Sequence, residues 1–202
     1  DNAIVPNVVT VSTGLRYHSY CANIARTFFF SPAAVSGVKK DAYDAVLMAM
    51  EAGVDALKVG KTVGGVYQAV EAAISAIKPE WSEKLFKNVG CGIGLEFREG
   101  HLVLNNTNSL KIEENTAYNV CIGLGDLKDE QGKSFAIQIA DTYLVDKNTT
   151  KKLTTAPIAL DAVTFTTAAA PAAAAEEESA AVRARSTRVK EEVVSMQTKE
   201  ET

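Results

Sequence analysis

Residues able to do chemistry gather beside a glycine-alternating segment near the middle of the chain. Cys91 lies inside that segment, and Arg98 and Glu99 follow it. A deprotonated thiol is a nucleophile or a ligand for soft metals, a carboxylate is a base or a ligand for hard metals, and an arginine stays charged at neutral pH. The alternating glycines let another backbone approach closely. Such a segment is also typical of a tight sheet crossing, so by itself it does not indicate a particular reaction.

The cysteines and histidines do not form a metal motif. Cys21, Cys91 and Cys121 are odd in number, far apart and without Cys-x-x-Cys spacing. This pattern argues against a disulfide framework and a zinc site, and it predicts a reducing compartment. His18 has no second histidine nearby in the sequence, so we interpret it as structural or solvated.

Composition excludes several classes of protein. The 202 residues are 47% hydrophobic, enough for a sizeable core, and the net charge of −4 lacks the basic footprint of a nucleic-acid binder. No apolar run approaches the roughly 20 residues of a membrane helix, and the N-terminus lacks the features of a signal peptide. Because Asp1 is not a methionine and the chain opens within what reads as structure, we expect a fragment of a longer protein.

Short β-branched or alternating runs predict strands at six places. They cover residues 8–11, 22–30, 92–97, 101–104, 116–124 and 135–145. Turn residues predict a break over 12–14 and an exposed polar loop over 125–132.

Two apolar stripes predict helices between the second and third of these strands. The first, at alternating spacings of four and three, predicts a helix over 39–57 that Gly60 ends. The second runs over 66–77 and stops at Pro79, which can open a short helical turn over 81–86. Each stripe needs apolar surface to cover, so we expect an α+β fold in which both helices lie on one face of a curved, largely antiparallel sheet.

The composition changes beyond Phe165. An alanine-rich stretch, an acidic run and a small basic cluster follow, with few aromatic or β-branched residues. We therefore predict a lobe over 1–166 and a flexible, largely disordered linker or tail over 167–202. The basic cluster of Arg183, Arg185, Arg188 and Lys190 is interpreted as a solvated charge run, with a nuclear-localisation or phosphate-contact patch as the alternative.

Three blocks of sequence carry a family resemblance. They are STGLRYHSYCANIARTF over 12–28, CGIGLEFRE over 91–99 and IADTYLV over 139–145. In this order, and with two helices between them, they resemble the creatinase and aminopeptidase "pita-bread" family over about residues 8–155. The resemblance implies a six-stranded curved sheet backed by helices.

The resemblance also implies which positions correspond to the two-metal site of the family's active peptidases. They are Ser12, Asn23, Cys91, Glu99 and Ala140, where the family has two aspartates, a histidine and two glutamates. Only Glu99 keeps its residue type. Three of the four changes remove carboxylates, which bridge and neutralise two dications, and the fourth replaces the histidine by Cys91. Arg98 stands where the family has a proton-handling histidine. We therefore expect no metal, no cofactor and no catalytic residue.

A narrower resemblance indicates a binding module. GIGLEFREG over 92–100, the residues Tyr118, Asn119 and Val120, and the segment 141–146 are similar to the peptidase-like N-terminal domains in the large subunits of FACT, a family of nuclear histone chaperones. That family implies a smaller lobe ahead of this one. It also implies histones as partners and a FACT partner subunit bound through other domains.

The same resemblance sets further expectations. It implies a nuclear, chromatin-associated protein with roles in nucleosome reorganisation during transcription, DNA replication and DNA repair, and neither direct nucleic-acid binding by this lobe nor a membrane. Glu96, Arg98 and Glu99 become candidate contacts for a peptide or histone tail in the cleft. The alternative is that Arg98 and Glu99 only neutralise each other. Two other functions stay open: an active metal-dependent or creatinase-like hydrolase, and a scaffold that holds neighbouring domains apart.

Overall fold

The chain folds around one antiparallel sheet. In the computed structural model, residues 7–31, 35 and 37–165 are described. The strands are β1 Val8–Tyr17, β2 Tyr20–Phe29, β3 Gly90–Gly92, β4 Glu99–Val103, β5 Thr116–Lys128, β6 Ser134–Val145 and β7 Thr150–Lys152. They are ordered β1-β2-β6-β5-β3-β4, with β7 also beside β6. The predicted α+β class and antiparallel sheet are confirmed, with seven strands rather than six in the described part.

The first hairpin is longer than predicted. β1 continues through residues 12–14, where Ser12 is opposite Ala25 and Gly14 is opposite Asn23. The predicted turn over 12–14 is therefore wrong. The chain reverses at His18 and Ser19, with φ of 45° and 69°, because a two-residue turn with positive φ at both positions matches the twist of the flanking strands.

The two helices form close to the predicted positions and cover one face of the sheet. They are α1 Gly37–Ala56 and α2 Val63–Ile77, and a 3-10 helix follows over Pro79–Lys84. The Thr62 hydroxyl caps α2 by accepting a hydrogen bond from the Gly65 amide. At Gly53 a Cβ would lie 2.8 Å from Val70 and near Val120 and Ile122. The even-numbered residues at the centre of β5 therefore face the helices.

The predicted strand over 92–97 is wrong. β3 ends at Gly92, residues 93–98 form a loop, and β4 begins at Glu99. The backbone of this 93–98 loop turns to the first hairpin, where the Cys21 amide donates to the Gly94 carbonyl at 2.8 Å. The alternating residue types resemble a strand, but the main chain of residues 93–98 hydrogen-bonds to a hairpin that is distant in the sequence.

The predicted exposed loop over 125–132 is only partly a loop. β5 continues to Lys128 through a bulge between Leu124 and Leu127, with Asp126 at φ 51°. The bulge absorbs the polar residues without ending the strand. The predicted tail over 167–202, with its basic cluster, lies outside the described residues.

A buried ion cluster ties the last described segment to the sheet. Arg26 donates to Asp141 Oδ1 at 2.7 Å and to the carbonyls of Ala156 at 2.7 Å and Pro157 at 3.0 Å. Lys152 Nζ lies 2.9 Å from Asp141 Oδ2. Arg26 and Asp141 are both buried, so these partners must balance the desolvated charges. Within the described ranges, no helix is both long and apolar enough to cross a membrane.

Candidate functional site

The strand register brings four of the five predicted ligand positions to one face of the sheet. Ser12 is opposite Ala25, which in turn is opposite Ala140. Residues that are directly opposite across antiparallel strands share a face. This row therefore crosses β1, β2 and β6 on the side away from the helices, which we name the open face.

A second row of the open face lies two residues along the strands. Asn119 of β5 is opposite Cys91 on one side and Thr142 on the other. The main-chain N–H of Asn23 donates to the Thr142 hydroxyl at 3.0 Å. Asn119 was not among the predicted site residues, although it occupies the centre of this row. The signal in the sequence was a single amide inside the apolar run of β5.

The polar groups of the open face bond to each other. The Thr142 hydroxyl donates to the Asn23 carbonyl at 2.9 Å, and Asn119 Nδ2 donates to the carbonyls of Asn23 at 3.1 Å and Asp141 at 3.3 Å. Gln138 Nε2 donates to Cys121 Sγ at 3.0 Å. β2 and β6 have one ladder pair, Ala25 opposite Ala140. These side chains therefore supply part of the bonding that holds the two strands together.

The 93–98 loop covers one end of the open face. A Cβ on Gly14 would lie 2.7 Å from the Phe97 ring, so the ring sits directly on the glycine. The Arg16 guanidinium lies 5.4 Å from the centre of that ring and pairs with Glu96 at 3.7 Å. A larger residue than glycine at position 14 would displace Phe97.

The three candidate contact residues occupy different environments. Glu96 and Arg98 are exposed, and Glu99 is half-buried opposite Gly92. In the pairing of β3 with β4, Glu99 is therefore opposite the residue that follows Cys91 and not opposite Cys91 itself. Among the described residues, the ion pairs include Arg16 with Glu96 but none between Arg98 and Glu99.

The family follows from the sequence match. Residues 1–147 match the Metallopeptidase family M24. The chain belongs to metallopeptidase family M24.

The chain is similar to SPT16 subunits of the FACT complex. It is 37% identical over 153 residues to the FACT complex subunit SPT16 of Arabidopsis thaliana, which covers 73% of this chain and 14% of that protein. The Saccharomyces cerevisiae SPT16 is 37% identical over 146 residues, covering 71% of this chain and 14% of the relative. The chain thus spans about a seventh of the length of these relatives, and the predicted resemblance is confirmed.

Solved M24 structures agree with this fold. The N-terminal domain of SPT16 from Eremothecium gossypii superposes with a TM-score of 0.75 at 37% identity, covering 79% of this chain and 36% of that one. The X-Pro aminopeptidase of Thermotoga maritima gives a TM-score of 0.67 at 25% identity, covering 79% and 41%. The predicted pita-bread fold is confirmed.

The residues of the open face do not fit the metal pair of M24 peptidases. Within the described part of the chain, no group of three or more histidine, cysteine, aspartate or glutamate side chains is placed to hold a metal ion. The open face instead offers amides, hydroxyls, thiols and a methyl group, and the side chains of Asn119 and Thr142 already bond to main-chain carbonyls of the sheet. Two dications need several carboxylates for bridging and charge balance.

Burial raises the pKa of two thiols of the open face, Cys91 and Cys121. Burial raises the pKa of Cys91, the Arg98 charge partly opposes that rise, and Cys121 and Glu99 add to it. Burial also raises the pKa of Cys121, with partial opposition from its hydrogen bond to Gln138. Thiolate is the reactive form of cysteine, so the geometry provides no activated nucleophile at these two residues.

Proposed function

We propose that the chain is a non-catalytic histone- or peptide-binding module of a nuclear histone chaperone that reorganises nucleosomes during transcription, replication and repair. The observation that carries this proposal is that the predicted ligand positions on the open face hold uncharged side chains. Ser12, Asn23, Cys91 and Ala140 share that face, and none of them is a carboxylate or an imidazole. An M24 fold with this face retains a shaped surface without the ligands for two metals.

The similarity to SPT16 subunits supports the choice of partner. Those relatives are subunits of a complex, so we infer that the full-length protein binds other FACT subunits through regions beyond this lobe. Histones are the partner class that the FACT resemblance implies, and chromatin in the nucleus is the corresponding location.

The 93–98 loop supplies candidate contacts at the edge of the open face. Glu96 and Arg98 are exposed there and Glu99 is half-buried. A charged, accessible rim beside a fixed aromatic ring is suited to hold a peptide by backbone and side-chain polar contacts. In this proposal the five predicted ligand positions are degenerate, and Glu99 acts as a contact rather than a ligand.

A histone pull-down tests the rim. The Arg98→Ala, Glu99→Ala double variant is expected to bind core histones more weakly than the wild-type chain. A matched control is Lys111→Ala, Glu113→Ala, which removes one positive and one negative charge from exposed residues between β4 and β5. Equal binding by all three proteins would locate the interaction elsewhere.

The second candidate function is a hydrolase, because the fold superposes on an X-Pro aminopeptidase and a prolidase at 25% identity. Calorimetric titration with Mn²⁺ and Co²⁺, followed by an assay on an X-Pro dipeptide with a protein long enough to include the preceding lobe, separates the two. We expect neither stoichiometric metal binding nor turnover. Stoichiometric metal with turnover would establish the hydrolase and overturn the binding module.

A further inference from the structure

A groove lies on the helix-bearing side of the sheet, between α1, β7 and the segment that follows β7. It encloses about 320 Å³, which exceeds the volume of one large side chain. Its lining consists of Leu47, Met50, Glu51, Val54, Asp55, Tyr143, Lys152 and Ile158. We name it the α1 groove. The open face lies on the opposite side of the sheet.

The floor of the α1 groove is apolar and fixed. Met50 and Tyr143 are buried, and Leu47, Val54 and Ile158 are half-buried around them. The Tyr43 hydroxyl donates to the Ile158 carbonyl at 2.9 Å, and Arg26 holds the two residues that precede Ile158. The wall opposite α1 is therefore anchored to the core, and the groove does not depend on a loose loop.

The charge available at the rim of the α1 groove is negative. Lys152 Nζ lies 2.9 Å from Oδ2 of the buried Asp141, which also pairs with Arg26, so Lys152 is partly balanced. Its single positive charge is outnumbered by the two carboxylates of Glu51 and Asp55 in the same lining. Glu51 and Asp55 are exposed, and neither forms an ion pair in the described part of the chain. Glu51 and Asp55 are four residues apart on α1, and like charges at that spacing destabilise a helix. Residues that break a local rule without a structural gain are typical of functional surfaces.

We propose that the α1 groove binds a lysine side chain from an extended, lysine-rich segment of a histone. The aliphatic stem packs on the apolar floor, and the ammonium group reaches the carboxylates of Glu51 and Asp55. Lysine has this division between apolar stem and charged head. The identity of the partner rests on the proposed function, whereas the preference for an apolar stem with a terminal cation rests on the groove itself.

Three labelled peptides test the required chemistry. Each alternates alanine with one residue type: lysine, norleucine or diaminopropionic acid. Norleucine keeps the stem without the cation, and diaminopropionic acid keeps the cation on a short stem. We expect the full 202-residue chain to bind the lysine peptide about five- to tenfold more tightly than either of the others in fluorescence anisotropy at low salt. Equal binding of the two cationic peptides would overturn the proposal, since the stem would then contribute nothing.

A charge-neutral rim variant locates the site. Glu51→Gln, Asp55→Asn is expected to weaken the lysine peptide about five- to tenfold while leaving folding intact, because exposed charged side chains contribute little to stability. The matched control Glu113→Gln, Glu114→Gln removes the same charge from two exposed residues between β4 and β5. An equal loss in both variants would assign binding to net charge and overturn the groove.

A histone measurement separates failure of the groove from failure of the proposed function. If wild-type chain and rim variant bind core histones equally, the groove is wrong and the histone-binding module stands. If the wild-type chain binds the lysine peptide at the rim carboxylates but binds no histone, the groove stands with a different lysine-rich partner and the proposed function fails. Absence of lysine-peptide binding by the wild-type chain would overturn the groove directly.

Discussion

The two faces of the sheet differ in the charge of the polar side chains that connect their strands. On the helix-bearing face, the buried Arg26 and Asp141 are joined by a hydrogen bond, and the half-buried Lys152 pairs with the same carboxylate. On the open face, Asn23, Asn119 and Thr142 are neutral and hold β2 to β6. The open face thus joins its strands through neutral side chains, whereas the opposite face anchors the segment after β7 through ions. This difference predicts that the two faces contribute unequally to stability, with the larger contribution from the buried ions.

The largest expected effect comes from breaking the ion cluster. Arg26→Met leaves Asp141 buried with one cation instead of two and frees the carbonyls of Ala156 and Pro157. Removal of one partner from a buried ion pair destabilises a protein by about 3 to 5 kcal/mol. Urea unfolding followed by circular dichroism measures the change.

The control for this variant is an exposed ion pair. Lys84 pairs with Asp126 at 3.0 Å, and both side chains are accessible. Lys84→Met is expected to cost less than about 1 kcal/mol. If both variants lose similar stability, burial would not be what makes the ion cluster important.

A smaller effect is expected on the open face. Thr142→Val keeps the side-chain shape but removes the hydroxyl that bonds to both the amide and the carbonyl of Asn23. Because Thr142 is buried, water cannot replace these bonds, and we expect a loss of about 1 to 3 kcal/mol in the free energy of unfolding. The exposed Thr149→Val is the matched control. A Thr142→Val protein as stable as wild type would show that the neutral bonds do not hold β2 to β6.

Local patterns predicted the helices well because both helices bury one stripe against a continuous apolar surface. Val66 and Val70 are buried and Ala73 is partly buried, as the spacing requires. The period of 3.6 residues is a property of the segment itself. The helices can therefore be predicted without knowing which strands they pack against.

The open face was harder to predict because its geometry depends on pairing between distant segments. Gly14 indicates a turn by residue type, yet it pairs with Asn23 inside β1. A glycine is required there because Asn23 Oδ1 and the Phe97 ring occupy the space that a side chain would need. Asn119 joins Cys91 to Thr142 only once β3, β5 and β6 are in register. The assignment of Glu99 as a retained ligand position stays a prediction.

A modest effect is expected where the 93–98 loop meets the first hairpin. Phe97→Ala removes the ring that covers Gly14 and contacts Arg16, at a cost of about 1 kcal/mol for a partly exposed cation–π contact and its packing. The Cys21 amide, which donates to Gly94, should exchange its proton faster in deuterium-exchange mass spectrometry. Leu95→Ala changes an exposed residue of the same loop and should leave that exchange unaltered. Faster exchange in both variants would mean that the whole loop is held weakly, independent of Phe97.

The smallest expected effect concerns the reactivity of Cys91. Its pKa is raised chiefly by burial, Arg98 opposes that rise, and Glu99 adds to it. A raised pKa means less thiolate below that pKa, so alkylation by iodoacetamide at pH 8 should be slower than for a free cysteine. Arg98→Ala should slow it further and Glu99→Gln should accelerate it, each by about twofold for a single nearby charge. Both differences should shrink as the pH rises through the pKa, since the thiol then ionises in every variant.

Peptide mass mapping follows each cysteine separately. Faster alkylation of Cys91 in Arg98→Ala would indicate that the guanidinium blocks access to the thiol rather than lowering its pKa.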